Sequence, residues 1–224
     1  MKLSYLTIIC LALIAFCTQS CTNMNDLHQK YLDEGEIIYA AKIDSVHVFA
    51  GRNRLQLDMF IGSQRIDSVR VYWNNYTDSL TIGVKNQTGI INKFINNMPE
   101  TDYVFNLVSF DKFGNKSLPV EKAGKVYGAN FQNFLLNRVV KKAIIAKGVT
   151  TITWSSALDK GLNCDLIYTN TSGAQVTKIV PMSEASTVLA DYASNLTYRT
   201  SFLPEATAID TFYTDYKPVT VTLK

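Results

Sequence analysis

Histidine is nearly missing from this chain: His28 and His47 are the only two among 224 residues. Imidazole is the side chain whose ordinary pKa lies nearest neutral pH, so its scarcity removes the commonest general base. Neither histidine stands at ligand spacing from a cysteine, which leaves no zinc pattern. GxSxG, HExxH, the P-loop and the dinucleotide fingerprint are all missing, so the expectation is a protein with no catalytic residue, no metal site and no cofactor. Charge of one sign is also lacking. The formal net charge is +3, and only 18% of residues are charged, a field too weak to attract nucleic acid. The pairs Lys141/Lys142 and Arg52/Arg54 read as solvated surface. Long helical periodicity is missing too, which excludes a βαβ fold.

The first twenty residues hold one positive charge, Lys2, and an apolar run from Leu6 to Cys17. About a dozen apolar residues suit the core of a signal peptide and fall short of the roughly 20 that cross a bilayer. Signal peptidases need small residues near the cut. Ser20 before Cys21 meets that need and Phe16 before Cys17 does not. The stretch resembles the lipobox of bacterial lipoproteins, although Thr18 stands where an aliphatic is usual and Gln19 is larger than the favoured residue. The resemblance implies a signal peptide over 1–20 and a lipidated Cys21, with the chain held at the outer membrane of the cell envelope, on either face. Each buried acyl methylene contributes about 0.8 kcal/mol of anchoring. The alternatives are a simple secreted protein, or a metal or disulfide pair of Cys17 and Cys21 inside a hydrophobic leader.

With Lys2 gone, 21 basic residues oppose 19 acidic ones. Cys164 is then the one unmodified thiol, which excludes an internal disulfide. It alternates with Leu162 and Leu166 and reads as a small buried hydrophobe. Residues 21–35 read as a polar tether with room for a short helix, capped by Asn25 or Asp26, with Leu27 and Tyr31 on one face and Gly35 at its end.

From residue 36 the apolar period becomes two. DSVHVFA, RLQLDMFI, DSVRVYW, SLTIGV and YVFNLVSF alternate and are divided by turn residues, and seven strands fit between Lys42 and Tyr127. The second half repeats the plan in AIIAKG, TTITWSS, NCDLIYT, TKIVP, STVLAD, LTYRTSFL and KPVTVTL. The fold class expected is all-β: two tandem antiparallel β-sandwiches, over 36–130 and 131–224. They are joined by FQNFLLNRVV, whose apolar character predicts packed contact and no loose linker.

MPETDYVFNLVSFDKFGNKS, from Met98 to Ser117, resembles the end of a fibronectin type III sandwich. Met98, Pro99, Glu100 and Tyr103 match, followed by Phe105, Leu107, Ser109 and the turn Gly114-Asn115. The resemblance makes Tyr103 a tyrosine corner, with Leu196, Thr197 and Tyr198 echoing it and Trp154 as the core tryptophan of the second half. The first half departs by placing Met59 where that tryptophan belongs, and Trp73 is expected to fill the volume. Over most of the mature chain, DEGEIIYAAKIDSV, VYWNN, GKVYG and YRTSFLPEATAIDTFYTDY are similar to a Bacteroidetes-type lipoprotein family, domain of unknown function 4998. That likeness implies an envelope location and paired sandwiches, with neither reaction nor ligand.

Three groups are candidate sites. Tyr72, Asn74 and Tyr76 combine aromatics with an amide, as sugar-binding surfaces do, whereas Val69, Val71 and Trp73 share the opposite, core face. Phe212, Tyr213 and Tyr216 crowd the last loop of the second sandwich, beside Asp210 and Asp215, and the competing reading packs them on the other domain. Ser45, Ser68 and Ser79 follow aspartate and precede an aliphatic, which resembles a Bacteroidetes-type O-glycosylation acceptor. Asp111 and Asn115 in DKFGN supply too few oxygens for calcium, which needs about six to eight, and read as a turn. The function expected is a non-catalytic binding or adhesion module, tied to the membrane by its lipid and taking a glycan or an envelope protein. The alternatives are a structural spacer and a carboxylate-based glycoside hydrolase.

Overall fold

Leu55, Leu57, Met59 and Ile61 have no exposed surface, while Gln56, Asp58 and Phe60 between them point the other way. That alternation is what a pleated strand with one buried face requires. A computed structural model describes residues 37–224, so the leader, Cys21 and the proposed tether helix lie outside the described residues.

The first half folds as seven strands. β1 (Ser45–Ala50), β2 (Arg54–Ile61) and β5 (Gly89–Asn96) form one antiparallel sheet in the order β1-β2-β5. β3 (Ile66–Trp73), β4 (Asp78–Gly83), β6 (Asp102–Asp111) and β7 (Val120–Lys125) form the other, ordered β4-β3-β6-β7. The core between them holds Val69, Val71, Phe105 and Leu107. Met59 is buried at the position where a tryptophan was expected, and the partly buried Trp73 packs on the same core with its ring 6.3 Å from Phe105.

The second half forms a second pair of sheets. One is ordered β12-β9-β8-β16, built from β8 (Val140–Ala146), β9 (Val149–Trp154), β12 (Ser186–Leu189) and β16 (Thr222–Leu223). The other contains β10 (Gly161–Asn170), β11 (Gln175–Pro181), β13 (Tyr192–Phe202), β14 (Phe212–Tyr213) and β15 (Lys217–Pro218). The chain is thus all-β with tandem sandwiches, as its periodicity indicates. Trp154 lies in the second core, its ring edge-on to Tyr198 at 5.4 Å and its indole N–H donating to Thr187 at 2.9 Å.

Three local expectations are corrected. Leu162 is exposed, because the β10–β13 register slips between Gly161 and Asn163 and turns it outward, while Cys164 and Leu166 keep the core face. KPVTVTL is not one strand. Lys217–Pro218 pairs with β13, whereas Thr222–Leu223 pairs in parallel with β8 in the opposite sheet. Proline has no N–H to continue a ladder, and Val219 and Val221 cross between the sheets packed against the core. Finally, the expected last loop is partly strand: Phe212 and Tyr213 pair with Phe202 and Ser201 of β13.

Residues 40–224 cluster as one compact unit, and the reason is the joint. After β7, Val126 and Tyr127 lead into the short helix α1 (Ala129–Asn133). Glu100 caps it, its two carboxylate oxygens accepting the N–H groups of Asn130 at 2.7 Å and Phe131 at 2.8 Å. Tyr103 fixes the same corner by donating its hydroxyl to the Pro99 carbonyl at 3.0 Å. Tyr198 makes a different contact: its hydroxyl reaches the Arg138 carbonyl at 2.7 Å, 60 residues upstream. The second tyrosine therefore ties the linker, and not its own corner, to the sandwich.

Candidate functional site

The loop Leu203–Thr211, between β13 and β14, reaches across to the first sandwich. Ile209 donates its N–H to the Ala50 carbonyl at 2.8 Å. Asp210 accepts from Arg54 Nε at 2.8 Å, Arg54 Nη2 at 2.6 Å and the backbone N–H of Arg52 at 2.8 Å. The Arg54 hydrogen bond, with the Arg52 N–H and both positive charges, holds the Asp210 carboxyl below its ordinary range despite its burial. Tyr127 donates to Glu205 at 2.8 Å, and burial followed by that bond drives its phenol far above its ordinary pKa. Behind these polar contacts Ala50, Tyr127 and Phe212 form a small core with Phe131 and Leu135 against it. The Phe131 and Phe212 rings meet edge-on at 5.1 Å.

This placement corrects one candidate. Phe212 has 0% of its surface exposed, because it plugs the small core of Ala50, Tyr127, Phe131 and Leu135 with the Arg52 guanidinium over its ring at 4.4 Å; it cannot touch a ligand. Tyr213 and Tyr216 are separated from it. Tyr213 is half-buried and Tyr216 is 43% exposed, and both rings flank one guanidinium. Arg199 lies 3.9 Å from the Tyr213 ring centroid and 4.9 Å from that of Tyr216, within cation–π range. Asp165 accepts from Arg199 Nε at 3.0 Å and fixes its orientation.

The backbone between the two tyrosines is held from the linker side. Asn137 donates Nδ2 to the Asp215 carbonyl at 2.9 Å and accepts the Thr214 hydroxyl at 2.7 Å. The linker is held in turn by Arg138, whose buried guanidinium donates to the carbonyls of Ser155 and Glu184 and lies over the Trp154 ring at 5.5 Å. Tyr213, Thr214, Asp215, Tyr216 and Arg199 line an open groove of about 470 Å³ together with Arg52, Gln132 and Thr211. Aromatic faces, two guanidinium groups, hydroxyls and an amide on a rigid floor can stack on a flat ligand and hydrogen-bond its rim. Sequence reading missed Arg199 and Gln132 and assigned Arg52 to solvated surface, whereas it lines the groove. No local pattern singles them out, since Arg199 reaches the tyrosines only through the β13–β14 pairing.

The other candidates lie elsewhere. The Tyr72 and Tyr76 rings meet at a 48° tilt with centroids 5.1 Å apart across the β3–β4 turn, where Asn74, Asn75 and Tyr76 all have positive φ, 66° at Tyr76. Left-handed backbone is uncommon for an aromatic and costs energy. Asn74 is occupied in closing the turn, donating to Asp78 at 2.6 Å. None of these three lines the joint groove. Ser45 and Ser79 are exposed on the edge strands β1 and β4, whereas Ser68 is half-buried in β3 between β4 and β6. Asp111 is spent on its own turn, accepting from the N–H groups of Phe113 and Asn115 and from the Asn115 amide. Among the described residues no three His, Cys, Asp or Glu side chains cluster as metal ligands. Among them too, no helix is long and apolar enough to cross a membrane.

Comparison with solved structures returns pairs and triplets of fibronectin type III domains. A two-domain segment of chicken tenascin shares 12% identity at TM-score 0.33, covering 80% of this chain and 98% of that one. The chicken CNTN1 FN1–FN3 domains share 13% at TM-score 0.40, with 82% of this chain matched to 65% of that one. No curated protein matches the chain. A family model described as a domain of unknown function, number 4998, matches residues 21–212. The chain belongs to that family.

Proposed function

We propose that this protein is a lipoprotein of the outer membrane, acylated at Cys21, that works as a non-catalytic binding or adhesion module with a glycan as its ligand class. The observation that carries the binding reading is the Tyr213–Arg199–Tyr216 arrangement, in which a half-buried and an exposed ring are held on one guanidinium beside hydroxyl and amide groups. Such a surface suits the C–H faces and hydroxyls of a sugar. The non-catalytic reading is supported by the groove's acidity: Asp215 is its single carboxylate, whereas glycoside hydrolysis uses two about 5–10 Å apart. The anchor reading rests on the Ser20-Cys21 junction after a short apolar run.

A spacer is the second reading, and the burial of Phe212 in the joint favours it. A rigid pair of sandwiches lifts whatever it carries away from the membrane. The two readings separate on one experiment. Acylated protein from native envelopes is applied to a glycan array and used in an envelope pull-down, alongside Tyr213→Ala/Tyr216→Ala. Glycan capture that the double variant loses supports the binding module. A blank array with a captured protein that the double variant still holds supports the spacer. An intact mass showing an uncut leader without acyl chains overturns the anchor.

A further inference from the structure

The two ends of the first sandwich have different surroundings. Its strands alternate in direction, so the β1–β2, β3–β4 and β5–β6 turns fall at one end and the β2–β3, β4–β5 and β6–β7 turns at the other. The first end is the joint, where Asn53 donates its N–H to the Tyr127 carbonyl at 2.8 Å and Glu100 caps α1. The second end is where the chain enters. Ala40 donates its N–H to the Lys116 carbonyl at 3.2 Å, and the Ala41 carbonyl accepts the Ser109 hydroxyl. Ala40 stands 19 residues after Cys21, a length of chain that spans at most about 65 Å. A lipid on Cys21 therefore draws this end towards the bilayer, while the opposite end carries the second sandwich.

The entry end is composed for such a surface. Phe113, at the tip of the β6–β7 turn, is 78% exposed, and Leu118 farther along the same connection is exposed as well. The turn under the ring is tightly closed: Asp111 accepts from the N–H groups of Phe113 and Asn115 and from the Asn115 amide, while Gly114, at φ 85°, donates to the Asp111 carbonyl at 3.1 Å. Phe113 shares a pocket of about 260 Å³ with Arg65 of the β2–β3 turn, Lys85 of the β4–β5 turn and Lys112. These three cations and Lys116 are exposed, and none of the four is ion-paired among the described residues. Of the carboxylates at this end, Asp111 is buried in the turn, Asp67 is half-buried and Asp44 is exposed, so cations outnumber them at the surface. Lys112 Nζ lies 4.8 Å from the Phe113 ring centroid. Ring and ammonium thus form one amphipathic tip, the arrangement that basic side chains adopt at a membrane interface. A soluble anion would use the cations and leave Phe113 and Leu118 in water. A bilayer uses both.

We propose that the entry end of the first sandwich docks on an anionic bilayer surface, with Phe113 entering the interface and Arg65, Lys85, Lys112 and Lys116 facing lipid phosphates. The proposal rests on the Cys21 anchor, which makes the contact intramolecular, so that a weak attraction suffices. Basic residues within a Debye length of anionic headgroups supply that attraction, and burial of the ring adds to it. The joint groove, which takes Arg52 from the opposite end of this sandwich, is thereby kept clear of the lipid.

The test supplies the anchor chemically, so it reads docking whether or not the cell acylates Cys21. The leaderless chain, residues 21–224, is coupled through the Cys21 thiol to a maleimide lipid in vesicles of equal parts POPC and POPG; Cys164 is buried and does not compete. Phe113→Trp reports depth through quenching by lipids brominated on their acyl chains. The coupled parent is the blank for Trp73 and Trp154, and Tyr76→Trp is the control at the joint end. The expected result is quenching of the Phe113→Trp protein at least threefold stronger than that of the Tyr76→Trp protein. Adding Lys85→Glu and Lys112→Glu, or using POPC alone, should remove at least half of it. Thermal melts check that each variant is folded. The proposal is overturned if Phe113→Trp is quenched no more than Tyr76→Trp, or if POPC alone quenches it as well as the POPG mixture. Shifts of the Lys112 amide with inorganic phosphate, without quenching on vesicles, would also overturn it and leave a pocket for soluble anions. An intact mass showing no acyl chains on the native protein would remove the anchor reading alone.

Discussion

Asp210 and Arg54, 156 residues apart in sequence, form a two-point ion pair at 2.6 and 2.8 Å across the domain joint. A fork-to-fork geometry of this kind fixes direction as well as distance, so the second sandwich is oriented, not merely attached. Domains joined by small polar interfaces move by default. Here the pair, with the small Ala50, Tyr127 and Phe212 core, limits that motion.

Asp210→Asn should destabilise the protein by about 1–2 kcal/mol at pH 7, a figure reduced for the partial exposure of Arg54. The sign of its pH dependence follows from the lowered carboxyl pKa. The contribution is complete above the ordinary aspartate range near 4 and is lost as pH falls through the lower, folded value. Urea melts of both proteins should differ by a constant amount above about pH 5 and converge below about pH 4.

Gly51→Val should open the joint without disturbing either core. A Cβ at Gly51 would lie 2.6 Å from the Asp210 carboxylate and 3.0 Å from the Arg54 carbonyl, and the carboxylate cannot retreat while three donors hold it. The expected cost is about 1–3 kcal/mol. Small-angle scattering should show a more extended particle with unchanged strand content by circular dichroism.

Phe212→Ala and Tyr216→Ala should act oppositely although they lie four residues apart. Removing the buried ring leaves a void between Tyr127 and Phe131 and should cost about 3 kcal/mol or more. Removing the exposed ring should change stability by no more than about 0.5 kcal/mol and lower the affinity for groove ligands. Paired denaturation and binding measurements check both.

The strand pattern was legible because each sandwich buries one face of every sheet, which writes a period of two into sequences such as RLQLDMFI. It failed where pairing departs from regularity. The slip that exposes Leu162 and the break at Pro218 depend on partner strands, and local alternation carries no information about partners. The candidate site was half legible. Crowded aromatics marked the segment around Tyr213, yet burial of Phe212 was decided by the other sandwich, and Arg199 entered through a neighbouring strand.

Cys164 should resist thiol reagents in the folded protein. Burial raises its pKa, so little thiolate forms, and the side chain has no exposed surface. Labelling by a disulfide reagent at pH 8 should follow the rate of unfolding, and denaturant should release one fast-reacting thiol per chain among residues 37–224.

Scanning calorimetry tests the central claim, that the Leu203–Thr211 loop joins the two sandwiches into one cooperative body with the Tyr213–Tyr216 groove left open on it. The account predicts a single transition whose calorimetric and van't Hoff enthalpies agree. Two resolved transitions, each with a van't Hoff enthalpy matching about half of the total heat, would contradict it.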